Sequence, residues 1–483
     1  MNQTILNKLK EIVGKENVLT SPEELFVYSY NALHFQQQLP EAVIVPTSSQ
    51  QISAIMKLAN EERFGVVPRG SGTGLSGGSV PTENCVVLAM NNWNRVLEVD
   101  EENLTALVEP GVITGQFQSL VEEKGLLYPP DPGSSMICTL GGNVAENAGG
   151  LRGLKYGVTK NYVMGMEIVL PNGEIVFLGG KNIKDVAGYN MKETLVGSEG
   201  TLCIFTKLLL RLVPKPETQS TLLASFATMN DAAKTVSDTI AAKILPSCME
   251  FLDNTTIKAV DAYAKLGLNT SSGAMLLIEV DGRKSVVDDD AEKVKAICEK
   301  NNATSVLFEN EPLQALRLRA ARKAAYAALA RSSPTVLSED VAVPRSELAK
   351  MTEKIQALSK KNDITIGTFG HAGDGNLHPL TLTDENDKAY FVRAEKTVEE
   401  IYDAALSLGG TITGEHGVGT AKRHVLEKAI GTPAVQMMNS LKQIFDPNNV
   451  LNPGKIFSPK IRCEGPLPRS REMIKEFEEK AWI

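Results

Sequence analysis

A basic excess, long apolar runs and paired cysteines are all missing from this chain, and each absence removes a class of function. Across 483 residues the formal charge is −8 and the pI about 5.5, so there is no chain-wide electrostatic footprint for nucleic acid. The six cysteines (Cys85, Cys138, Cys203, Cys248, Cys298 and Cys463) form no C-x-x-C pair. Their spacing suits neither zinc nor iron–sulfur ligation, and they read as reduced, mostly buried thiols. The opening stretch, MNQTILNKLKEIVGKENVL, mixes polar and apolar residues with a helical period. It is neither a secretory leader nor a membrane anchor, and a cytoplasmic location is expected. No P-loop motif, internal repeat or low-complexity block occurs.

What remains is a globular chain, 42% apolar, long enough for two or three cores. Its texture is α+β. Residues 1–40 read as a helical segment with a connecting loop. Residues 41–216 alternate strand and helix, then turn to short β-rich runs such as MEIVLPNGEIVFL, broken by loops dense in Gly, Asn and Pro. In VPKPETQ (Val213 to Gln219) two prolines favour an extended linker. A second α+β domain is expected over 217–410, a mostly helical segment over 411–457, and a tail over 458–483.

Glycine is where the chain is rich. VPRGSGTGLSGGSVP (Val67 to Pro81) places Gly70, Gly72, Gly74, Gly77 and Gly78 within nine residues, and bared backbone amides can converge on a phosphate. Gly72, Gly74 and Gly77 satisfy G-x-G-x-x-G, but a dinucleotide turn must be followed at once by a helix. Gly78 and Pro81 interrupt that segment and CVVLAM follows as another strand. A second set, TLGGNVAENAGGLRGLKYG (Thr139 to Gly157), and a third, GSEGTL (Gly197 to Leu202), imply a long ligand held by several loops.

The strings PRGSGTGL, TLGGNVAENAGGLRGLKYG and GSEGTL resemble the PCMH-type FAD-binding domain of the vanillyl-alcohol oxidase superfamily, in which flavin lies extended between two α+β subdomains. From about residue 40 to 456 the chain is similar to the FAD-dependent D-2-hydroxyacid dehydrogenases, a branch that includes D-lactate dehydrogenases and glycolate oxidase catalytic subunits. The resemblance implies a two-subdomain FAD-binding domain, an α+β substrate (cap) domain, and a helical C-terminal segment returning to the flavin. It implies a pyrophosphate cradle at Pro68, Arg69, Gly70, Ser71, Gly72, Thr73 and Gly74. Flavin and adenosine contacts would come from Asp131, Pro132, Ser134, Gly142, Asn143, Asn147, Gly149, Gly153, Gly157, Val158, Glu199, Gly200, Ile204 and Asn452. Some relatives attach flavin to a histidine in the first loop; Thr73 stands at that position here, so the expected FAD is non-covalent. Cys203 occupies a place where the family usually has glycine.

Four of the five histidines fall between His371 and His424, in GTFGHAGDGNLHP and TGEHGVGTAKRH. His371 and His378, seven apart across a glycine-rich bend, suit two strand or turn positions. With Glu415 they make a two-histidine, one-carboxylate set that leaves coordination sites open. HAGDGNLH alone would also fit a structural turn; GEHG downstream supplies the carboxylate. In the resembled family these motifs match a divalent metal site, with zinc, manganese and ferrous iron all compatible. His416 is the natural proton acceptor, because imidazole titrates near working pH.

LRLRAARKAAYAALAR (Leu316 to Arg331) is a basic helix in an acidic protein. Arg319 and Arg322, three apart, share a face, while Arg317 and Lys323 read as solvated. By motif position Arg322 resembles the family's substrate-carboxylate arginine, with Tyr326 one turn on, and Asn376 completes the expected substrate contacts. Ser338 and Glu339 stand where longer-diacid dehydrogenases carry lysine, which implies a small monocarboxylate, D-lactate ahead of glycolate. Electrons from reduced flavin need an acceptor: an electron-transferring flavoprotein is favoured, with an iron–sulfur subunit as the alternative. The apolar stripe Ile474, Phe477 and Ala481 in the tail packs on its own protein or docks a partner. A reading of another class is a non-catalytic flavoprotein subunit serving as an electron conduit or scaffold, while a third, an FAD-dependent alcohol or aldonolactone oxidase, fits the first domain but leaves the basic helix and the metal triad without a purpose.

Overall fold

The computed structural model describes residues 1–33, 36–309, 318–320 and 322–457. Arg317, Cys463 and the predicted stripe of Ile474, Phe477 and Ala481 lie outside the described residues. The first layer grows from three short apolar runs. Ala42–Ile44, Cys85–Ala89 and Gly65–Arg69 lie side by side in parallel, with Val18–Leu19 antiparallel at the edge. The crossover between the first and last of these is the helix Ser49–Glu62. Its N-cap, Ser48, accepts a hydrogen bond from Gln51 N, and Ile52, Ile55, Met56 and Ala59 are buried along one face. The Gly65–Arg69 strand then delivers the first glycine loop, and no helix follows it before the Cys85–Ala89 strand.

A second sheet, antiparallel and five-stranded, runs in the order Val96–Asp100, Thr105–Val108, Ile204–Arg211, Val163–Val169, Ile175–Gly179. Its core is closed by edge-on contacts of Phe117 with Tyr128 and of Tyr128 with Tyr162. The proline-flanked stretch is only partly a linker: Val213–Pro214 pairs with Leu126–Leu127, and the next strand opens at Thr218.

That strand, Thr218–Phe226, belongs to an eight-stranded antiparallel sheet. It pairs residue for residue with Ala274–Gly282, which pairs with Cys248–Asp253, then Ile366–His371 and Asn376–Thr383 follow. The helices Met229–Ala241, Lys284–Lys300, Leu348–Asn362 and Lys388–Ser407 feed one core against it. Asn254–Ala264 and Ala325–Ala330 feed a separate one.

After the helices Arg423–Ile430 and Thr432–Phe445, the chain returns to the first sheet. Val66 N donates to Val450 O at 2.7 Å and Asn452 N to Val66 O at 2.8 Å. Buried Lys442 locks this return, its ammonium reaching Thr201 O (2.9 Å), Leu451 O (2.7 Å) and Asp446 Oδ2 (2.5 Å). Asp446 in turn accepts from Val450 N and Leu451 N. Lys442→Met strands a buried carboxylate, and a loss of about 3–5 kcal/mol of stability is expected. A urea unfolding midpoint equal to that of the wild-type chain would count against this lock.

Candidate active site

One cavity of about 580 Å³ lies where the three sheets meet, a size suited to a sizeable ligand. The first glycine loop from Pro68 to Leu75 lines it, as do Pro132, Ser134, Gly142, Asn143, Gly149, Glu199, Gly200 and Ile204. The opposite wall is Arg322, Tyr326, Phe369, His371, His378, Glu415 and His416. Elements remote in sequence, the glycine cradle and the histidine cluster, therefore share one space. The cradle tolerates no side chain at its closest points: a Cβ on Gly70 would lie 2.2 Å from Thr139 Oγ1, and one on Gly149 2.7 Å from Glu415 Oε2. Cys203 is buried on the cavity wall, and burial pushes its thiol well up.

Eight predicted contacts do not line the cavity. Asp131 pairs with Lys323 at 3.0 Å. Asn147 ends the helix Leu140–Glu146 in a left-handed conformation and accepts from Lys160 N. A Cβ on Gly153 would meet Asp374, so that glycine serves contact between domains. Gly157 and Val158 form a turn held by Asn161. Asn452, left-handed and buried, donates to Gly78 O (3.0 Å) and Glu199 O (2.8 Å), tying the cradle to the third loop. Arg319 pairs with Glu279. Asn376 spends its amide on Asp340 Oδ1 (2.6 Å) and Val341 O (3.0 Å). Lys323, read from sequence as solvated, is drawn into the cavity wall by Asp131 and Ser135 Oγ (3.3 Å).

The histidines come from adjacent strands. Phe369 faces His378 in register and His371 faces Asn376, so the two imidazoles emerge near the end of one hairpin, 5.3 Å apart and edge-on. Glu415 Oε1 lies 3.3 Å from His371 Nε2, 3.4 Å from His378 Nε2 and 3.7 Å from His416 Nε2. His416 stacks on His378 at 5.0 Å and 10°. The ligand atoms of His371, His378 and Glu415 all lie within 4.8 Å of one another. His371 turns its other nitrogen to Glu250 Oε1 at 2.7 Å, the carboxylate–histidine arrangement that orients metal ligands. This donor set fits a divalent metal.

Electrostatics favour the ligating forms of two members. Burial and the neighbouring His416 push His378 down to about 3, keeping it neutral. Burial would raise Glu415, but His371, His378 and His416 together hold it down to about 2. Burial also works to lower His371, yet Glu250 and Glu415 hold it well above the usual histidine range.

Asp340, which the sequence reading used only as a landmark, organises the loop carrying Glu415 and His416. Its Oδ2 accepts from Thr413 Oγ1, Gly414 N and Glu415 N at 2.8 Å and from His416 N at 2.9 Å. Fully buried, it is nonetheless held well below the usual carboxylate range: burial opposes this, and His416, Lys422 and His378 outweigh it. Arg322 projects between Glu250 and the ring of Phe369, with Nη2 2.6 Å from Glu250 Oε2 and the guanidinium 4.7 Å from the ring centre. Its Nη2 is taken up by that ion pair, while its Nε is buried without a hydrogen-bond partner among the described residues, a donor left for an anion. Glu250 and Glu146 also escaped the sequence reading. A lone acid inside the apolar run CMEFL was the available signal for Glu250.

Residues 40–179 match the family described as FAD binding domain, and residues 215–456 match FAD linked oxidases, C-terminal domain. The chain is 51% identical over 462 residues to glycolate oxidase subunit GlcD of Bacillus subtilis, covering 96% of this chain and 98% of that protein. It is 35% identical over 464 residues to D-lactate dehydrogenase of Anaerostipes hadrus, covering 94% and 97%. The solved structure of p-cresol methylhydroxylase superposes with a TM-score of 0.74 at 19% identity, over 94% of this chain and 96% of that one, which establishes the PCMH-type fold.

Asp340→Asn puts an N–H against either the Thr413–His416 donors or the amide of Asn376, whichever way the side chain turns. The expected outcome is loss of bound divalent metal with FAD retained, measured by elemental analysis alongside the flavin spectrum. Wild-type metal content in a folded variant would remove Asp340 from this role.

Proposed function

The chain belongs to the FAD-linked oxidase family, and from that premise we propose that it oxidises a small D-2-hydroxy acid, D-lactate, to the 2-oxo acid with divalent-metal assistance. The enzyme class, an FAD-dependent hydroxyacid dehydrogenase, follows from the matched families and relatives. The observation that carries the finer reading is the meeting of the glycine cradle, the His371–His378–Glu415 set and the unpartnered Nε of Arg322 in one cavity.

FAD, when bound, supplies the two-electron acceptor, and a divalent metal at His371, His378 and Glu415 supplies Lewis acidity. Arg322, paired to Glu250 through Nη2, holds the substrate carboxylate with its guanidinium charge and its unpartnered Nε. His416, stacked on His378 and partly open to the cavity, takes the hydroxyl proton on its ring nitrogen as Cα gives up hydride. Tyr326 and Phe369 wall this end of the cavity against water. Ser338 faces the cavity while Glu339 is turned to Tyr402 and Lys422. That leaves no cation for a second carboxylate at this position, which supports a monocarboxylate. Thr73 in the first loop supports non-covalent FAD.

Glycolate is the second reading, favoured by the 51% identity to a protein named glycolate oxidase subunit. The word subunit in that name also supports electron delivery to a protein partner; an electron-transferring flavoprotein is the acceptor proposed, with an iron–sulfur subunit as the alternative. Among the described residues no helix is long and apolar enough to cross a membrane.

Anaerobic mixing of FAD-loaded protein with D-lactate, L-lactate or glycolate is expected to bleach the visible flavin band fastest with D-lactate. Faster bleaching by glycolate selects the second reading, and no bleaching by any 2-hydroxy acid refutes both. His416→Ala is expected to slow the bleaching by about 10²–10⁴-fold with FAD and metal retained, and an unchanged rate would strip it of the proton-acceptor role.

A further inference from the structure

The strand Cys248–Asp253 is buried along its whole length, yet it carries two acids deep in the large sheet. They are spent very differently. Asp253 is satisfied by backbone: Oδ1 accepts from Thr256 N and Oδ2 from Thr368 N, both at 2.8 Å. Its task is to hold a helix start and a strand. Glu250, with none of its surface exposed, turns neither oxygen to a backbone amide of the described residues. Oε1 receives His371 Nδ1 at 2.7 Å, and Oε2 faces Arg322 Nη2 at 2.6 Å.

Strand register makes this sharing inevitable. Glu250 is the direct cross-strand neighbour of His371, so the two side chains leave the same face of the sheet side by side. Arg322 descends onto that face from the other core and is fixed over Phe369, which stands two residues before His371. A carboxylate with no exposure is tolerable only between partners of opposite charge or strong donors. Here both partners belong to the functional site.

We propose that Glu250 is a positioning residue that couples the carboxylate anchor to the metal ligands, one oxygen orienting Arg322 and the other orienting His371. The inference rests on the reading of Arg322 as anchor and His371 as ligand. Because Glu250 accepts from His371 Nδ1–H, Nε2, 3.3 Å from Glu415 Oε1, is the nitrogen that gives up its proton and offers a lone pair when a metal binds. A carboxylate arriving at Arg322 competes with Glu250 for the same cation. As Arg322 turns its charge toward the newcomer, Glu250 becomes a stronger acceptor for Nδ1–H, and the opposite nitrogen becomes a better donor to a metal. Linkage then requires the reverse: a bound metal tightens carboxylate binding by the same factor.

The test uses the FAD-loaded chain, zinc as the metal and propionate as a carboxylate that lacks a hydroxyl. Zinc affinity is read by chelator competition with and without propionate, and propionate affinity from perturbation of the flavin spectrum. In the unaltered protein propionate tightens zinc several-fold. Glu250→Gln is expected to weaken zinc by about 10–100-fold and to abolish the propionate effect. Arg322→Met loses propionate binding, and with it the effect, while keeping zinc within a few-fold. His371→Ala loses zinc.

If Arg322→Met and His371→Ala change neither ligand, the reading of the site itself fails. If they behave as stated but Glu250→Gln keeps wild-type zinc affinity and the propionate effect, the coupling alone is overturned. Should Glu250→Gln fail to retain FAD, Arg322→Met is compared with the double variant Glu250→Gln/Arg322→Met, which leaves no buried charge unpaired. The double variant is then expected to bind zinc 10–100-fold more weakly, and equal affinity overturns the proposal.

Discussion

The oxygen atom of Asp340 that gathers Thr413 Oγ1 and the amides of Gly414, Glu415 and His416 is the point from which the site is built. A loop of that composition, TGEHG, has no regular structure of its own to hold it. Backbone donors converging on one buried carboxylate replace the missing hydrogen-bond ladder. They also deliver two adjacent side chains to different posts, Glu415 among the imidazoles and His416 stacked on His378. The other oxygen of Asp340 is held by Asn376, from the same hairpin strand that carries His378. Loop and hairpin are thereby referenced to a single atom pair.

Charge balance explains why so many ionisable groups are sunk here. Asp340 and Glu250 are fully buried and Glu415 is half-buried, the three acids being set against Arg322, Lys422 and the histidines. In a medium of low effective dielectric none of these is tolerable singly. A second acid pair, Glu146 and Glu199, sits by the glycine cradle. There Glu199 is satisfied by the amides of Val418 and Gly419, while burial and the neighbouring Glu199 raise Glu146. The same C-terminal loop thus serves the histidine site at one end and the cradle at the other.

Much of this was legible beforehand. The failure of the Rossmann pattern after Gly77 could be read from Gly78, Pro81 and the strand that follows, and no helix forms there. Local signals of this kind survive because steric rules on glycine and proline act within a few residues. The expected contacts that do not line the cavity share another cause. Asn376, Arg319 and Asn147 sit in motifs beside cavity residues, but each is claimed by a partner, Asp340, Glu279 and Lys160, and Gly153 lies too close to Asp374 to carry a side chain. Lys323 erred the other way, since its acid, Asp131, is 192 positions distant.

By itself the sequence determined the inventory: loops with bare amides, two imidazoles and an acid near one another, and a cation on a short helix. It also determined the α+β texture, since apolar periodicity is a property of neighbours along the chain. Only the tertiary structure decided which of these groups face one cavity and which are consumed as supports. Glu250 meets His371 because two strands 121 positions apart pair in one register. A side chain's role depends on its competing partners as well as its own chemistry, and those partners are chosen by long-range packing.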